Sequence, residues 1–453
     1  MKKDLGNDNI SKLLLELSIP AILSMLVAAL YNIVDRIFVG NTNPLGLTAI
    51  GITMPFQIVQ MAFVLLIGVG SATLISIKYG ENKKKSAEDI LLNALILIVI
   101  AELIVTVICI AFIDPIFSLL GVSESVYDLA KQYIIIILLG GVPGLTGYCL
   151  NNAVRSMGFS KHSMFFVLFS SILNIILDGF FILVLGWGVK GAAIATVISQ
   201  IFVTIFVIDF FIRNKDVPIK LNLNRAKLKL ETIKEIFLIG LPNFYMQIFG
   251  TVFNIILNRF IIAYGGDYQL ASVTIITSVS MVFTMVIYGI SQGAQPIIGY
   301  NYGAKKQERC LETLTKTLAS VTVFSMFFLF LIELFPHFLV KFFTEDVQLL
   351  NITSNNIRIF LFAIPFVGIH SVGTTYFQTT KRPKISSILY ILKYGAILIP
   401  LLYIIPRFAG INGVYISNAL SELISGTVAL ILIILDIRKI KKQLGRKIQS
   451  SEV

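Results

Sequence analysis

SIPAILSMLVAALYNIV, residues 18–34, and GLPNFYMQIFGTVFNII, residues 240–256, are one segment written twice in the same chain. Ser18-Ile19-Pro20 aligns with Gly240-Leu241-Pro242, and Tyr31-Asn32-Ile33 with Phe253-Asn254-Ile255, both at an offset of 222 residues. The register persists outward from there. Tyr79-Gly80 matches Tyr302-Gly303 at 223, Pro143 matches Pro365 at 222, Lys161 matches Lys384 at 223 and Gly191 matches Gly413 at 222. So steady an offset across most of each half marks a duplication.

Composition says what solvent the duplicated unit meets. The 453 residues are 56% hydrophobic and only 14% charged, with a mean hydropathy of +0.86. Soluble domains carry roughly a quarter charged residues, so the outer surface here must face lipid. A spanning helix needs about 20 mostly apolar residues. Twelve such stretches are read near 13–39, 47–77, 90–113, 129–154, 163–185, 190–212, 233–263, 270–300, 311–336, 355–379, 385–406 and 411–436. Six per half is an even number, so both halves enter the membrane from the same side. The expected fold is an all-α integral membrane protein of two six-helix bundles, related by a pseudo-twofold axis along the membrane normal. The organisation that follows is an N-terminal lobe at 1–212, a basic linker at 213–232, a C-terminal lobe at 233–436 and a basic tail at 437–453.

The net charge of +12 follows the same plan. Basic residues cluster before the first span (Lys2, Lys3, Lys12), in alternate loops (Lys78 to Lys85, Arg155 and Lys161, Arg213 to Lys234, Lys305 to Lys316, Lys381 to Lys384) and in the tail from Arg438 to Lys447. By the positive-inside rule these loops and both termini are cytoplasmic, in a multi-pass protein of the cell membrane. The excess charge is a topology signal with anionic lipid headgroups as partners, not a nucleic-acid surface. Cys109, Cys149 and Cys310 are too scattered for a disulfide framework or a thiolate metal site. No short apolar segment with a small-residue cleavage site follows the polar N-terminus, so the first span is expected to be retained.

Charges inside a membrane are costly, about 2.5–3.5 kcal/mol for an Asp on translocon scales, and so mark candidate sites. Asp35 lies in the first span and Asp178 in the fifth, each roughly 8–10 Å below the outer end at 1.5 Å per residue. Asn174 precedes Asp178 by one helical turn on the same face. Thr196 in the sixth span and Tyr133 in the fourth fall at about that depth. Two facing carboxyl groups in low dielectric cannot both stay ionised without compensation, so one can take up a proton. The same oxygens can instead replace the water shell of a small hard cation such as Na⁺. A bland account pairs Asp35 with Arg36 at the outer interface, although adjacent helix residues point apart.

The second half does not repeat these acids: Asp35 aligns with Leu257 or Asn258, and Asp178 with Pro400. Its own charges near mid-membrane are Lys393 and Glu422, read either as a mutual ion pair or as a substrate site. Glu102 and His370 read as packing residues. Gly140, Gly141, Pro143, Gly144 and Gly147 give the fourth span close packing and a bend. Aromatic residues lining a cleft suit flat cationic compounds.

The runs YNIVDRIFVG (31–40), NIILDGFFI (174–182), GAAIATVISQ (191–200) and VRSMGFSK (154–161) resemble the multidrug and toxic compound extrusion (MATE) family, in its prokaryotic branch with an acidic cluster in the N-terminal lobe. The likeness covers nearly the whole chain. It implies an antiporter that exports drugs and other small organic cations against inward H⁺ or Na⁺, with no cofactor and no enzymatic activity, as a monomer. It further implies cation coupling at Asp35, Asn174 and Asp178, with Thr196 and Tyr133 matching positions of the same site; were Na⁺ the ion, Asp35, Asn174, Asp178 and Thr196 would be its ligands. Asn151 matches a substrate-contacting position, and Lys393 and Glu422 are expected on the substrate side. Other branches place acids in the seventh and tenth spans, where this chain has Gln247 and His370, so the likeness does not extend to that second cation site.

The competing reading is a flippase for a lipid-linked saccharide, which should line its cleft with cations; Lys393 is almost the only mid-membrane base. A non-transporting receptor fits poorly with buried acids at one depth. An ATP-driven pump lacks its phosphate loop.

Overall fold

The structure is a computed structural model that describes residues 4–222 and 227–451. Lys2 and Lys3 of the basic N-terminus, residues 223–226 of the linker and residues 452–453 of the tail lie outside the described residues. All regular structure among the described residues is helical. Six long helices fill the first half: α1 (Ile10–Thr42), α2 (Pro44–Gly80), α3 (Lys84–Ala111), α5 (Glu124–Ser156), α6 (Ser160–Asp178) and α7 (Gly188–Arg213), with a short α4 (Ile113–Leu119) joining α3 to α5. α6 runs straight into a π-helical segment, Gly179–Val184.

In the second half the seventh and eighth spans form one 74-residue element, α8 (Leu230–Gly303). It breaks at Gly266, whose φ of 71° and ψ of −164° suit only a residue without a Cβ. Then come α9 (Gln307–Leu334), short α10 (Pro336–Lys341), α11 (Val347–Leu361) and α12 (Ile364–Thr379). α11 and α12 make one span bent by 42°; Pro365, at the start of α12, has no N–H to bond back to Leu361 O and crowds that carbonyl, which interrupts the helix there. The eleventh span is composite: α13 (Pro383–Ile391), a π-helical segment Leu392–Leu398, and α14 (Ile399–Ile404). α15 (Pro406–Ser451) closes the fold, with a second glycine break at Gly410 (φ 55°). Counting α8 as two spans and the bent pair as one gives the twelve-helix plan.

Two boundaries differ from the sequence expectation. The tenth span begins at Val347 rather than near 355. Its first turns are polar, but Thr353, Ser354 and Asn356 are buried against protein rather than lipid, so hydropathy under-read them. The C-terminal segment, expected as a basic tail, continues as helix to Ser451, since Lys, Arg, Gln and Ile are tolerated helix formers.

The duplication extends to hydrogen bonds. α2 ends with Asn82 at φ 57°, with Asn82 N–H bonded to Tyr79 O and Lys83 N–H to Lys78 O. At an offset of 223, Lys305 has φ 58° and the bonds are Lys305 N–H to Tyr302 O and Lys306 N–H to Asn301 O. Gly158 and Lys381 repeat the arrangement after α5 and α12. Each is a Schellman cap, which satisfies the last carbonyls of a helix and turns the chain back.

The chain forms two compact units. One is built mainly from Ile19–Ile248 and so includes the first turns of α8. There a Cβ on Gly240 would lie 1.7 Å from Leu66 O, so only glycine allows this crossing. Thr204 of α7 is inserted into α5: Gly147 N–H donates to Thr204 Oγ1 at 2.8 Å, and Oγ1 donates to Pro143 O at 2.5 Å. The hydroxyl thus takes the place of a helix rung, one recognised cause of a bend. The other unit comprises Asn9–Ser18 and the chain from Phe249 onward; Ser18 Oγ donates to Ile290 O at 3.4 Å within it.

Candidate functional site

α6 delivers two polar residues one turn apart into the first unit. Asp178 is fully buried and Asn174 is 2% exposed. With the carboxamide oriented by its surroundings, Asn174 Nδ2 donates to Asp178 Oδ2 at 3.1 Å and Asn174 Oδ1 accepts from the Thr196 backbone N–H at 3.3 Å. Thr196 Oγ1 lies 3.5 Å from the same carboxamide. α1 brings in Asp35, which is also buried. Its charge and that of Asp178 are near enough to interact, and the buried Tyr133 hydroxyl on α5 interacts with both. The five polar residues singled out from the sequence therefore converge on one place within one unit.

Two oxygens there have no hydrogen-bond partner, Asp35 Oδ1 and Asp178 Oδ1. Buried polar atoms are nearly always paired, and a bare carboxylate oxygen in low dielectric is costly. Arg36 does not supply the missing partner: it is exposed and its Nη2 points to Met54 Sδ at 3.8 Å. Asp178 sits where α6 changes to π-helix, a local irregularity common at functional positions. The arrangement groups two carboxyl groups, a carboxamide, a hydroxyl and a phenol within electrostatic reach of one another, chemistry suited to a proton or a small hard cation. No group of three or more His, Cys, Asp or Glu able to hold a metal occurs among the described residues; Asn, Thr and Tyr ligands fall outside that pattern.

Gln57 on α2 was not anticipated; it interacts with the Tyr133 hydroxyl. A glutamine in an apolar run carries no charge signal, and only its helical spacing from neighbours hints at the face it occupies. Glu102 on α3 is fully buried and accepts from Gln60 Nε2 at 2.9 Å, a partner equally silent in sequence.

In the second unit Lys393 and Glu422 meet. Lys393 Nζ lies 2.7 Å from Glu422 Oε1, with side-chain exposures of 7% and 15%. Lys393 occupies the π segment Leu392–Leu398, and Ser421 Oγ donates to its backbone carbonyl at 3.0 Å. The matching depth of this unit holds a neutral network. Asn356, at an offset of 223 from Tyr133, donates to Gln269 Oε1 at 2.7 Å and Ser272 Oγ at 3.2 Å, and Tyr415 OH donates to the same Gln269 oxygen at 2.7 Å. His370 packs edge-on to Tyr390 and pairs with Leu389 O at 3.4 Å. Asn151 stands apart, near the end of α5 opposite to Tyr133. Its Nδ2 donates to Ser163 O at 3.4 Å and its Oδ1 is buried without a partner.

A helical membrane fold of two duplicated bundles, with a polar cluster buried in one of them, is an architecture that transporters use. The family model described as MatE matches residues 20–180 and 242–404, one match per half, and the chain belongs to that family of transporters. It is 28% identical over 425 residues to the multidrug export protein MepA of Staphylococcus aureus (strain MSSA476), covering 94% of this chain and 93% of that one. The corresponding protein of Staphylococcus haemolyticus (strain JCSC1435) is 28% identical over 426 residues, with the same coverage. Among solved structures, MATE in complex with MaL6 superposes with a TM-score of 0.91 at 25% identity, covering 97% of this chain and 98% of that one. A MOP superfamily transporter from Pyrococcus furiosus Vc1, described as having a binding pocket of reverse polarity, has the same fold, with a TM-score of 0.90 at 24% identity over 96% of this chain and 98% of that one.

Proposed function

We propose that the protein exports drugs and other small organic compounds, often cationic, across the cell membrane in exchange for inward H⁺ or Na⁺. The observation that carries this reading is the pair of buried, unpartnered carboxylate oxygens on Asp35 and Asp178. A cation arriving there relieves the electrostatic cost of both, and its arrival or departure can bias a two-state helix arrangement. Asn174, Thr196 and Tyr133 complete the coupling site. Asn151, Lys393 and Glu422 contribute to substrate binding. The multidrug-export relatives support the direction and the substrate breadth. The lobes at 1–212 and 233–436, the cytoplasmic termini and a monomer in contact with anionic lipid belong to the same proposal.

A flippase for lipid-linked saccharides is less well supported, because Lys393 is already held by Glu422 and is not free to receive a pyrophosphate. Efflux from proteoliposomes tests the reading, with a Na⁺ gradient and a pH gradient imposed separately. The expected result is accumulation driven by one gradient and its loss in Asp178→Asn. Transport by the variant at the wild-type rate would refute the coupling role.

A further inference from the structure

On the second unit, α9, α11 and α15 leave a groove of about 390 Å³ between them. Ile359 and Phe362 of α11 and Ile416 and Leu423 of α15 belong to its apolar wall, and Glu333 of α9 and Arg358 of α11 stand at one end. We infer that this groove seats a membrane phospholipid whose headgroup carries a primary ammonium, with the phosphate on Arg358, the ammonium on Glu333 and an acyl chain along the apolar wall. The inference goes beyond transport and does not depend on how the acids of the first unit act.

The position favours lipid. α9 begins beside Lys305 and Lys306 and ends at Leu334, so Glu333 lies at the membrane boundary away from that basic loop. Along α9 the apolar side chains of Val323, Met326, Phe327 and Phe330 are exposed, as on a helix that meets hydrocarbon. α11 and α15 both run inward from the same boundary. They are held in register where Asn356 Nδ2 donates to Tyr415 OH at 3.2 Å and Asn418 Nδ2 donates to Phe360 O at 3.4 Å. From Ile416 to Leu423 is about 10 Å of helix at 1.5 Å per residue. The apolar wall therefore descends from the charged end as an acyl chain descends from its phosphate. The two charges are loosely held. Arg358 Nε lies 3.7 Å from Glu333 Oε2, beyond hydrogen-bond length, and Arg358 Nη2 donates instead to the Glu333 backbone carbonyl at 2.8 Å. The Glu333 carboxylate accepts no hydrogen bond among the described residues, and the guanidinium, with five N–H donors, uses one. Both side chains are accessible, at 42% and 46% exposure. An arginine fork suits a phosphate. A phosphate placed there meets the Glu333 charge close by, and a headgroup that brings its own ammonium offsets that repulsion. A primary ammonium has N–H donors for the carboxylate that a quaternary one lacks. The fold does not require the pair: at an offset of 223 the first copy has Ile110 and Ile135, packed against its apolar core. An exposed ion pair adds little stability, so helix packing alone does not account for these charges.

The test is native mass spectrometry of the full-length protein, stripped of lipid and titrated with dioleoyl phosphatidylethanolamine, phosphatidylcholine or phosphatidylglycerol. The wild type should bind one phosphatidylethanolamine about tenfold more tightly than either of the others, the worth of a hydrogen bond to a charged group. Arg358→Gln should weaken phosphatidylethanolamine binding by about tenfold. Glu333→Gln should erase the preference over phosphatidylcholine while phosphate binding to Arg358 persists. Leu423→Trp fills the groove and should weaken all three lipids alike. Equal binding of the three lipids by the wild type overturns the proposal without recourse to any variant. A phosphatidylethanolamine preference that survives both Arg358→Gln and Glu333→Gln overturns it as well, since the lipid is then held elsewhere.

Discussion

At Tyr133 the first copy has a phenol that interacts with two buried carboxyl groups; at the matching Asn356 the second copy has a carboxamide bonded to Gln269 and Ser272. Asp35 is matched by Leu257, also buried, and Asp178 by Pro400. The two copies share their Schellman caps and span lengths, features that set where the chain turns. At the depth of Tyr133 and Asn356 they differ in whether the polar side chains are satisfied. In the second copy amide and phenol groups close on one another, which stabilises a packed bundle. In the first copy two carboxylate oxygens are left without a hydrogen-bond partner, the feature on which the proposed coupling rests.

The comparison breaks most sharply if an acid is put into the second copy. Leu257→Asp places a carboxyl group in an apolar site and should lower stability by about 3 kcal/mol, on the scale for an Asp at the helix centre; a melting temperature in detergent equal to wild type would contradict the buried, unprepared character of that position. Asn356→Leu removes one donor of the neutral network and should lower stability by about 1–3 kcal/mol, with the driving ion and its apparent affinity unchanged in efflux assays. Thr196→Val deletes one neutral oxygen from the first copy. It should weaken the apparent affinity for the coupling cation by roughly tenfold, the worth of one hydrogen-bonding group near a charge, with little change in stability.

The smallest effect concerns the turn after α2. Glu81 pairs with Lys78 and Lys83, each at 3.0 Å, whereas its counterpart in the second copy is Ala304. Burial pushes the Glu81 carboxyl up, but Lys78 and Lys83 outweigh it and hold the group below the usual carboxylate range. A depressed folded value contributes stability above the unfolded carboxylate range, and the contribution is lost as pH falls through the folded value. Glu81→Gln should therefore cost a few tenths of a kcal/mol at pH 7, as for exposed ion pairs, and the cost should shrink as pH falls below the unfolded carboxylate range. Melting curves at neutral and acid pH check the sign.

The spans, the repeat and the acid positions were legible because hydropathy, turn residues and isolated charges write directly into sequence. Asp35, Asn174, Asp178, Thr196 and Tyr133 fell at one depth by helix rise alone, and the folded chain brings them together. Gln57, Thr204 and the pairing of Lys393 with Glu422 were harder. Each depends on which helix face meets which neighbour, and a two-helix contact leaves no periodic signal within either helix. The early start of α11 was hidden for a related reason: a polar helix face buried against protein has the hydropathy of a loop. The two π segments had no reading at all, since one extra residue per turn changes hydrogen bonding without a marker in composition.

The central claim is that the first copy holds the ion switch and the second does not. It is tested most directly by gradient-driven efflux in proteoliposomes containing wild type, Asp178→Asn or Asn356→Leu, each reconstituted to the same amount of folded protein. The account predicts that Asp178→Asn loses gradient-driven transport while remaining folded, and that Asn356→Leu transports under the same gradient as wild type. Wild-type transport by Asp178→Asn, or loss of gradient coupling only in Asn356→Leu, would contradict it.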